Sequence, residues 1–232
     1  MRIRAARAGD LEAIRGIEAR AGTLFYDVGM PDIARHPVPA ASVLARFVRA
    51  GRSWVVVEGS ARPSFALPGT AAGLRAAGPG AAGLGAADPG AADPGATGLR
   101  EAGPEAAGPG AAGPEAELAG GMPVAYVLVE VVDGLAHIEQ VSVDPPYARR
   151  GIGRRLIDHV GRWAGERGMS GMTLTTFRGV PWNAPYYARL GFVELAEGER
   201  GPELARLMAV EARHGLDPVE RIAMRREVAP PD

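Results

Sequence analysis

Apolar residues in the first 58 positions follow strand and helix periods in turn. Residues 1–6 are predicted as a short strand, and Asp10 is placed to N-cap a helix with Leu11, Ile14 and Ile17 on one face. Pro39 is expected to open a second amphipathic helix. Residues 53–58 are rich in β-branched side chains and predict a second strand. The N-terminal part is therefore predicted as β-α-α-β.

The second half of the chain shows the same periods around a stronger amphipathic helix. Strands are predicted at residues 123–131, 136–143, 172–177, 192–195 and 221–228. The helix after residue 151 carries an apolar stripe at Leu156, Ile157, Val160, Trp163 and Ala164, and Gly168 is expected to end it. Shorter helices are predicted at 182–190 and 202–213. The complete order, β-α-α-β-β-β-α-β-α-β-α-β, indicates a mixed α/β sheet flanked by helices.

A segment of unusual composition separates the second and third strands. From Pro68 to Gly121 there is no Val, Ile, Met or aromatic residue, and Ala-Ala-Gly, Pro-Gly and Pro-Glu units recur. Such a segment cannot bury enough apolar surface to offset the entropy of ordering it, and its prolines exclude a long helix. Residues 68–118 are predicted as a disordered insertion in a hairpin, a tolerated loop expansion with a docking or regulatory role as the alternative. Residues 1–67 and 119–229 are predicted to form one domain.

Composition narrows the class of protein further. The formal net charge of −1 favours no nucleic-acid partner, and the absence of cysteine excludes disulfides, thiolate metal sites and a cysteine nucleophile. The histidines are too widely spaced to predict a metal site; they are His36, His137, His159 and His214. Neither a signal peptide nor an apolar run of about 18 residues is found, so a cytoplasmic location without membrane contact is expected.

The most informative segment is Val141–Ile157, which is predicted to be a strand, a tight turn and the start of a helix. A Gly-rich turn before a helix N-terminus directs several backbone N–H groups to one place, which suits a pyrophosphate. Arginines cluster in and after the turn, at Arg149, Arg150, Arg154, Arg155 and Arg162. Taken alone, Gly-x-Gly is also typical of a turn that binds nothing. Lysine is absent from the chain, so the clustering of the arginines matters more than their number.

Three segments together resemble the GNAT superfamily of N-acetyltransferases: His137–Pro145, Tyr147–Leu156 and Trp182–Phe192. The resemblance covers nearly all of the chain outside the insertion. It implies the GNAT acyl-CoA N-acyltransferase fold, a twisted mixed sheet with a splayed central strand pair flanked by helices. It also implies acetyl-CoA as co-substrate, with no metal. The family usually has Gln or Arg at the position of Ala148, so one side-chain contact to the ligand is expected to be missing.

The resemblance also assigns residues to the co-substrate. Val141 and Val143 would offer backbone groups to the pantetheine arm, residues 149–154 would surround the pyrophosphate, and Asn183 would contact the CoA arm. The full cofactor-binding set is Val141, Ser142, Val143, Arg149, Arg150, Gly151, Ile152, Gly153, Arg154, Asn183 and Tyr187.

Acetyl transfer requires three catalytic functions, for which residues can be named. The Val141 N–H, expected by resemblance to lack a ladder partner, would stabilise the oxyanion. Tyr187 matches the family tyrosine that protonates the leaving thiolate; its usual pKa of about 10 is near that of a thiol. A tyrosine packed on the sheet with its hydroxyl bonded to backbone is the alternative.

Removal of the amine proton is assigned to two residues on one predicted strand. The spacing of two places His137 and Glu139 on the same face, where Glu139 would take the proton directly or through water and His137 would assist. A surface-facing polar pair is the alternative, and Glu130 and Glu58 are weaker candidates.

The chain is therefore predicted to be an acetyl-CoA-dependent N-acetyltransferase that moves an acetyl group to a primary amine by direct attack in a ternary complex. A non-catalytic acyl-CoA-binding or sensing module of the same fold is the alternative. A nucleotide-binding P-loop is excluded because the chain has no lysine. The partner is expected to be a small-molecule or peptide amine, with residues 24–39 contributing to its site. The sequence does not predict which amine it is and leaves a homodimer open.

Overall fold

The structure is a computed structural model that describes residues 1–59, 80–82, 121–213 and 221–228, with backbone alone at 80–82. Within these residues eight strands form one sheet: β1 (Arg2–Ala5), β2 (Ser53–Val57), β3 (Gly80–Ala82), β4 (Pro123–Val132), β5 (Leu135–Val143), β6 (Gly171–Phe177), β7 (Val193–Glu194) and β8 (Arg221–Glu227). Their order is β1-β2-β4-β5-β6-β8-β7, and β3 pairs with β5. The pairing of β5 with β6 is parallel and every other pair is antiparallel. The predicted mixed α/β sheet is confirmed.

Six α-helices surround the sheet in the described residues: α1 (Leu11–Gly22), α2 (Pro31–Ala34), α3 (Ala41–Arg49), α4 (Ile152–Gly165), α5 (Ala184–Arg189) and α6 (Pro202–Arg213). The helix predicted to open at Pro39 begins at Ala41, and the single turn of α2 was not predicted because four residues carry no periodic signal. No helix in the described parts of the chain is long and apolar enough to span a membrane.

The two faces of the sheet are covered by different helices. The apolar stripe of α4 is buried on one face, as its period predicts, together with Trp54 and Val56 of β2. On the opposite face α1 and α3 bury Ile14, Leu44 and Phe47 against the alternate residues of β2 and β4.

The pairing of β5 with β6 stops partway along both strands. Ala136–Ile138 lie opposite Met172–Leu174, and no pairing follows, while the rest of β6 stays paired with β8. The splayed strand pair is therefore confirmed. It leaves a cleft at the carboxyl ends of two parallel strands.

A β-bulge in β5 lies where the two strands part. Gln140 is opposite Leu128 of β4 and Ile138 is opposite Val129, so Glu139 is an extra residue. The bulge changes which residues share a face. Ala136 and Ile138 are followed in the α4-side core by residues 141 and 143, so residues 140 and 142 face α1.

Within the segment predicted as a disordered insertion, residues 68–118, the structure describes residues 80–82, which form β3. Composition indicated no strand there because glycine and alanine have low strand propensity. The strand forms through its pairing with β5. The remainder of the predicted insertion lies outside the described residues.

Candidate active site

The turn between β5 and α4 has the geometry of an anion site. Arg149 and Gly151 both adopt left-handed backbone conformations, with φ of 60° and 71°. Gly151 is the N-cap of α4, a helix of 14 residues whose first N–H groups have no intrahelical acceptor. Arg149, Arg150 and Arg154 are exposed around it. Free N–H groups and a helix dipole meet at a turn that carries three exposed arginines, which is the combination that the sequence predicts for a pyrophosphate.

Contacts from both sides hold this turn against the sheet. Arg20 of α1 donates two hydrogen bonds to the carboxylate of Asp144, each of 2.8 Å. The Asp144 N–H donates to the Val124 carbonyl at 2.9 Å. The Tyr147 hydroxyl donates to Glu58 at 2.8 Å, and the Arg150 guanidinium lies 5.1 Å from the Tyr147 ring centre. The position of the turn is therefore set by the protein before any ligand binds.

The edge of β5 that faces the cleft, where β6 has separated from it, is paired with β3 rather than free. Beyond Ile138 this edge is no longer paired with β6. Instead, Gly80 of β3 lies opposite Ser142 and Ala82 lies opposite Val141. The expectation that Val141 has no ladder partner on this side is therefore wrong for this structure. The physical reason is that main-chain polar groups in a protein interior need partners, and β3 provides them.

Asn183 presents an unsatisfied amide at the start of α5. The residue is fully buried, yet neither its side-chain oxygen nor its side-chain nitrogen has a hydrogen-bond partner. An unpaired buried amide costs about 1–3 kcal/mol, so its presence favours a site that a polar ligand completes.

Tyr187 lies one turn further along the same helix. It is buried, with its ring 5.8 Å from that of Phe192 and 5.4 Å from that of Tyr186. The alternative of a hydroxyl bonded to backbone is not seen in the described residues. Burial raises the pKa of Tyr187 well above its usual value, so the hydroxyl keeps its proton at neutral pH, and the near match to a thiol that the usual pKa implied is not found in this structure.

His137 and Glu139 come together as the same-face prediction requires. The His137 Nε2 is 3.9 Å from a Glu139 carboxylate oxygen, and its Nδ1 is 3.0 Å from the Thr173 hydroxyl. Burial, together with the charge of Arg221, lowers the pKa of His137 to about 4, so the ring is neutral. The alternative of a surface-facing pair is wrong, because His137 is only 1% exposed.

Glu139 has the properties of a base that operates near neutral pH. It is the bulge residue, and its side chain is 16% exposed. Burial raises its pKa to about 8, with a further contribution from the charges of Glu211 and Glu130. The two weaker candidates for the base have other partners. Glu130 forms an ion pair with Arg52 at 2.8 Å, and Glu58 accepts a hydrogen bond from the Tyr147 hydroxyl.

The sequence analysis did not find the buried ion pair between β8 and α6. Arg221 of β8 donates to both carboxylate oxygens of Glu211, at 2.9 and 2.8 Å, and to the Thr175 hydroxyl at 2.6 Å. Its remaining nitrogen, Nη1, is buried without a partner. A signal for Glu211 existed, since it falls seven residues after Leu204 on the buried stripe of α6.

A second buried carboxylate was also missed. Glu18 of α1 accepts hydrogen bonds from Tyr126 at 2.6 Å, Ser142 at 2.7 Å and Gln140 at 3.1 Å, and burial raises its pKa. Glu18 lies on the apolar stripe of α1 beside Ile14, which was the available signal. The Ser142 side chain is thus bound to Glu18, and only its main chain is left for the predicted cofactor role.

The segment predicted to contribute to the acceptor site is anchored by aromatic packing. Phe25 is fully buried, with ring centres 5.8 Å from Phe177 and 6.0 Å from Trp182. Tyr26 beside it is 50% exposed. Trp182, interpreted from the sequence as packing or an acceptor wall, contributes to this packing. In the described residues no three His, Asp or Glu side chains are grouped to hold a metal.

Comparison with known proteins found one matching family model and several solved structures of the same fold. The model of the acetyltransferase (GNAT) family matches residues 106–192. Among solved structures, Rv2747 of Mycobacterium tuberculosis, in complex with CoA, is 14% identical, with 99% of this chain and 100% of that chain covered and a TM-score of 0.53. The PaiA N-acetyltransferase of Thermoplasma acidophilum, also in complex with CoA, is 10% identical, with coverage of 97% and 98% and a TM-score of 0.53.

A GNAT-family acetyltransferase of Staphylococcus aureus is 10% identical, with coverage of 98% and 99% and a TM-score of 0.51. At these identities the structural likeness shows a common fold. The family model covers residues 106–192, less than half of the chain, and supports an acyltransferase of the GNAT superfamily.

The raised pKa of Glu139 predicts a pH-dependent contribution to stability. Its folded-state pKa of about 8 lies above the usual 4.5, so between these values the folded protein holds a proton that the unfolded chain has released. This residue therefore makes the protein less stable as pH rises through that window, and Glu139→Gln removes the effect. We expect the melting temperature of the variant, relative to wild type, to increase steadily from about pH 5 to about pH 8.

The control is Glu12→Gln, which changes a carboxylate whose side chain is 77% exposed. Its difference from wild type should stay flat over the same range. A flat difference for Glu139→Gln as well would contradict the raised pKa.

Proposed function

We propose that this protein transfers the acetyl group of acetyl-CoA to a primary amine by direct attack in a ternary complex. The proposal is supported by the anion turn, which follows directly on the parted edge of β5, and by the unpaired buried amide of Asn183. Acetyl-CoA use agrees with the GNAT family model that matches residues 106–192 and with the CoA bound in two structures of the same fold.

The co-substrate would be bound mainly through main chain. Residues 149–154 supply N–H groups and arginines for the pyrophosphate, and the edge at Val141–Val143 supplies N–H and carbonyl groups for the pantetheine amides. Ala148 has no polar side chain to contribute. Asn183 donates to or accepts from the pantetheine arm, which would satisfy its amide.

The transfer balances with two of the candidate residues. The uncharged amine gives one N–H proton to Glu139 as its nitrogen forms a bond to the thioester carbonyl carbon, and the carbonyl oxygen becomes negative. The Val141 N–H, once released from β3, stabilises this oxyanion. The carbonyl re-forms as the C–S bond breaks, the thiolate takes a proton from Tyr187, and Tyr187 regains a proton from solvent while Glu139 releases the one it took. Neutral His137, whose Nε2 lies 3.9 Å from the Glu139 carboxylate, does not compete for the proton, because its pKa is about 4.

A non-catalytic acyl-CoA-binding module would conserve the turn and the β5 edge but would not need a base beside them. The His137–Glu139 pair, buried next to the parted strands, favours the enzyme. The acceptor is proposed to be a small-molecule or peptide amine. The cytoplasmic location of the protein stays a prediction.

Two measurements test the proposal. Titration calorimetry with acetyl-CoA should show binding, and a thiol-release screen over polyamines, amino acids, aminoglycosides and peptides should give turnover with at least one class of amine. Absence of binding at millimolar acetyl-CoA would refute the proposal. Binding without thiol release from any amine would instead favour the sensing module.

The unpaired amide of Asn183 gives a sharper prediction. Asn183→Ala should weaken acetyl-CoA binding by about tenfold, the equivalent of one or two hydrogen bonds, while leaving the melting temperature of the free protein unchanged or higher. Calorimetry and thermal unfolding measure the two effects. Ser53→Ala is the matched control, because the Ser53 hydroxyl is also buried without a partner but lies on β2, away from the cleft. Equal acetyl-CoA affinities of the two variants would contradict the role of Asn183.

The two proton-transfer residues should affect different parts of the pH profile. With the acceptor from the screen, wild-type kcat/KM is expected to rise up to about pH 8, where Glu139 becomes ionised. Glu139→Gln should lower the rate by about 10²–10⁴ and remove that limb of the profile. Tyr187→Phe should lower the rate but should leave unchanged the increase in kcat/KM up to about pH 8. Full activity of Tyr187→Phe at every pH would exclude Tyr187 as the acid.

A further inference from the structure

Two buried donor groups near the carboxyl end of β6 lack a hydrogen-bond acceptor. Arg221 binds Glu211 and Thr175 through Nε and Nη2, and its Nη1 has no partner in the part of the chain that the structure describes. The indole Nε1 of Trp182 is likewise buried without a partner among the described residues. Arg221 and Trp182 are each only 8% exposed. Both nitrogens donate and neither accepts, so the group that would complete them is an acceptor.

The two donors belong to one aromatic cluster beside the parted strands. The guanidinium carbon of Arg221 lies 5.1 Å from the centre of the Phe177 ring, and Phe177 is the last residue of β6. The Phe25 ring lies 5.8 Å from that of Phe177 and 6.0 Å from that of Trp182. Phe25 comes from residues 24–39, the segment expected to contribute to the acceptor site. The unpaired donors are therefore placed where the acceptor is expected, at the end of β6 that has separated from β5.

Arg221 and the proposed base lie on the same face of the sheet. Thr173 and Thr175 are two residues apart on β6, so their side chains share a face and are separated by about 6.6 Å along the strand. The Thr173 hydroxyl contacts His137, whose other ring nitrogen is 3.9 Å from Glu139. The Thr175 hydroxyl accepts a hydrogen bond from Arg221 at 2.6 Å. Glu139 of β5 and Arg221 of β8 therefore lie on the two strands that flank β6, at a spacing that suits two groups of one small molecule.

We propose that the acceptor is an amine that carries a carboxylate, such as a free amino acid, and that Arg221 and Trp182 bind this carboxylate. The inference rests on the proposed function, which supplies the amine and its base. A guanidinium nitrogen and an indole N–H each suit one oxygen of a carboxylate, a group that only accepts when ionised. In the arriving zwitterion, opposite charges alternate from Glu211 to Arg221, then to the substrate carboxylate and its ammonium group. The Glu211 charge thus leaves Arg221 able to bind a second carboxylate through Nη1.

This pair of donors distinguishes between classes of amine. A polyamine brings only further donors and places a positive charge beside the guanidinium of Arg221. An amino acid amide brings one carbonyl oxygen for two donors. A site built to bind a substrate group selects against analogues that lack it, because its own buried groups are then left unpaired. Each donor left unpaired is expected to lower kcat/KM by about tenfold, so loss of the carboxylate should lower it by about 10²-fold.

The first experiment compares matched acceptors with the full-length protein and acetyl-CoA. Each set holds an L-amino acid, its amide and its decarboxylated amine: alanine, alaninamide and ethylamine; phenylalanine, phenylalaninamide and phenethylamine; arginine, argininamide and agmatine. Thiol release gives kcat/KM, corrected for the fraction of each amine that is unprotonated. In at least one set the amino acid should exceed its decarboxylated amine by about 10²-fold, with the amide between them.

The outcomes separate this inference from the proposed function. Turnover in which no amino acid exceeds its own decarboxylated amine, or turnover with polyamines alone, would overturn the carboxylate site and leave the proposed function standing. Binding of acetyl-CoA without thiol release from any amine would refute both.

The second experiment removes one donor at a time from the carboxylate site. Trp182→Phe deletes the indole N–H and keeps an aromatic ring in the cluster. It should raise KM for the preferred amino acid and lower the ratio of kcat/KM for that amino acid to kcat/KM for its decarboxylated amine by about tenfold. Trp54→Phe is the matched control, because Trp54 is a buried tryptophan of β2 that packs on the α4 side of the sheet. A ratio unchanged from wild type in both variants would contradict the proposed site.

Arg221 is tested together with its partner, because removal of one member of a buried ion pair leaves an uncompensated charge. The double variant Arg221→Leu with Glu211→Leu removes both charges and keeps apolar side chains in their place. Its ratio of kcat/KM for the amino acid to kcat/KM for the decarboxylated amine should fall by at least tenfold. A purely structural role of the pair would lower both values by the same factor, and the wild-type ratio that results would overturn the inference.

Discussion

The parting of β5 from β6 after three paired residues is the constraint on which the rest of the site depends. A parallel pair that stayed together would bury its main-chain groups in the ladder and leave no room at the carboxyl ends. The bulge at Glu139 lies where the strands separate, and it reorients β5. Residues 141 and 143 then pack on the α4 side, and Gln140 and Ser142 face α1.

Buried polar groups on the α1 and α6 side fix this irregular strand in one arrangement. Glu18 bonds to Gln140 and Ser142, which follow the bulge, and the Arg221–Glu211 pair bonds to Thr175 of the parted β6. Such networks add little net stability compared with apolar packing, yet they are costly to break. One network therefore bonds to each of the two parted strands.

The fold was largely predictable from the sequence, because strand and helix periods, together with the Arg/Gly turn, carry that information locally. The same-face pair of His137 and Glu139 was also predicted. The bulge could have been found, since the buried apolar positions of β5 run 136, 138, 141 and 143, with one residue too many in the middle. β3 could not be found, because Gly-Ala-Ala carries no strand signal and its order depends on the edge that it meets. The buried partners Glu18 and Arg221 depend on tertiary contacts that no local period reports.

The most direct test of the central claim is a crystal structure of the full-length protein with acetyl-CoA. The pantetheine arm should run along Val141–Val143 in place of β3, with the pyrophosphate at residues 149–154 and a hydrogen bond from the ligand to the Asn183 amide. Acetyl-CoA bound outside the cleft, or bound while Gly80–Ala82 still pairs with β5, would contradict the claim that the parted strand edge is the co-substrate site.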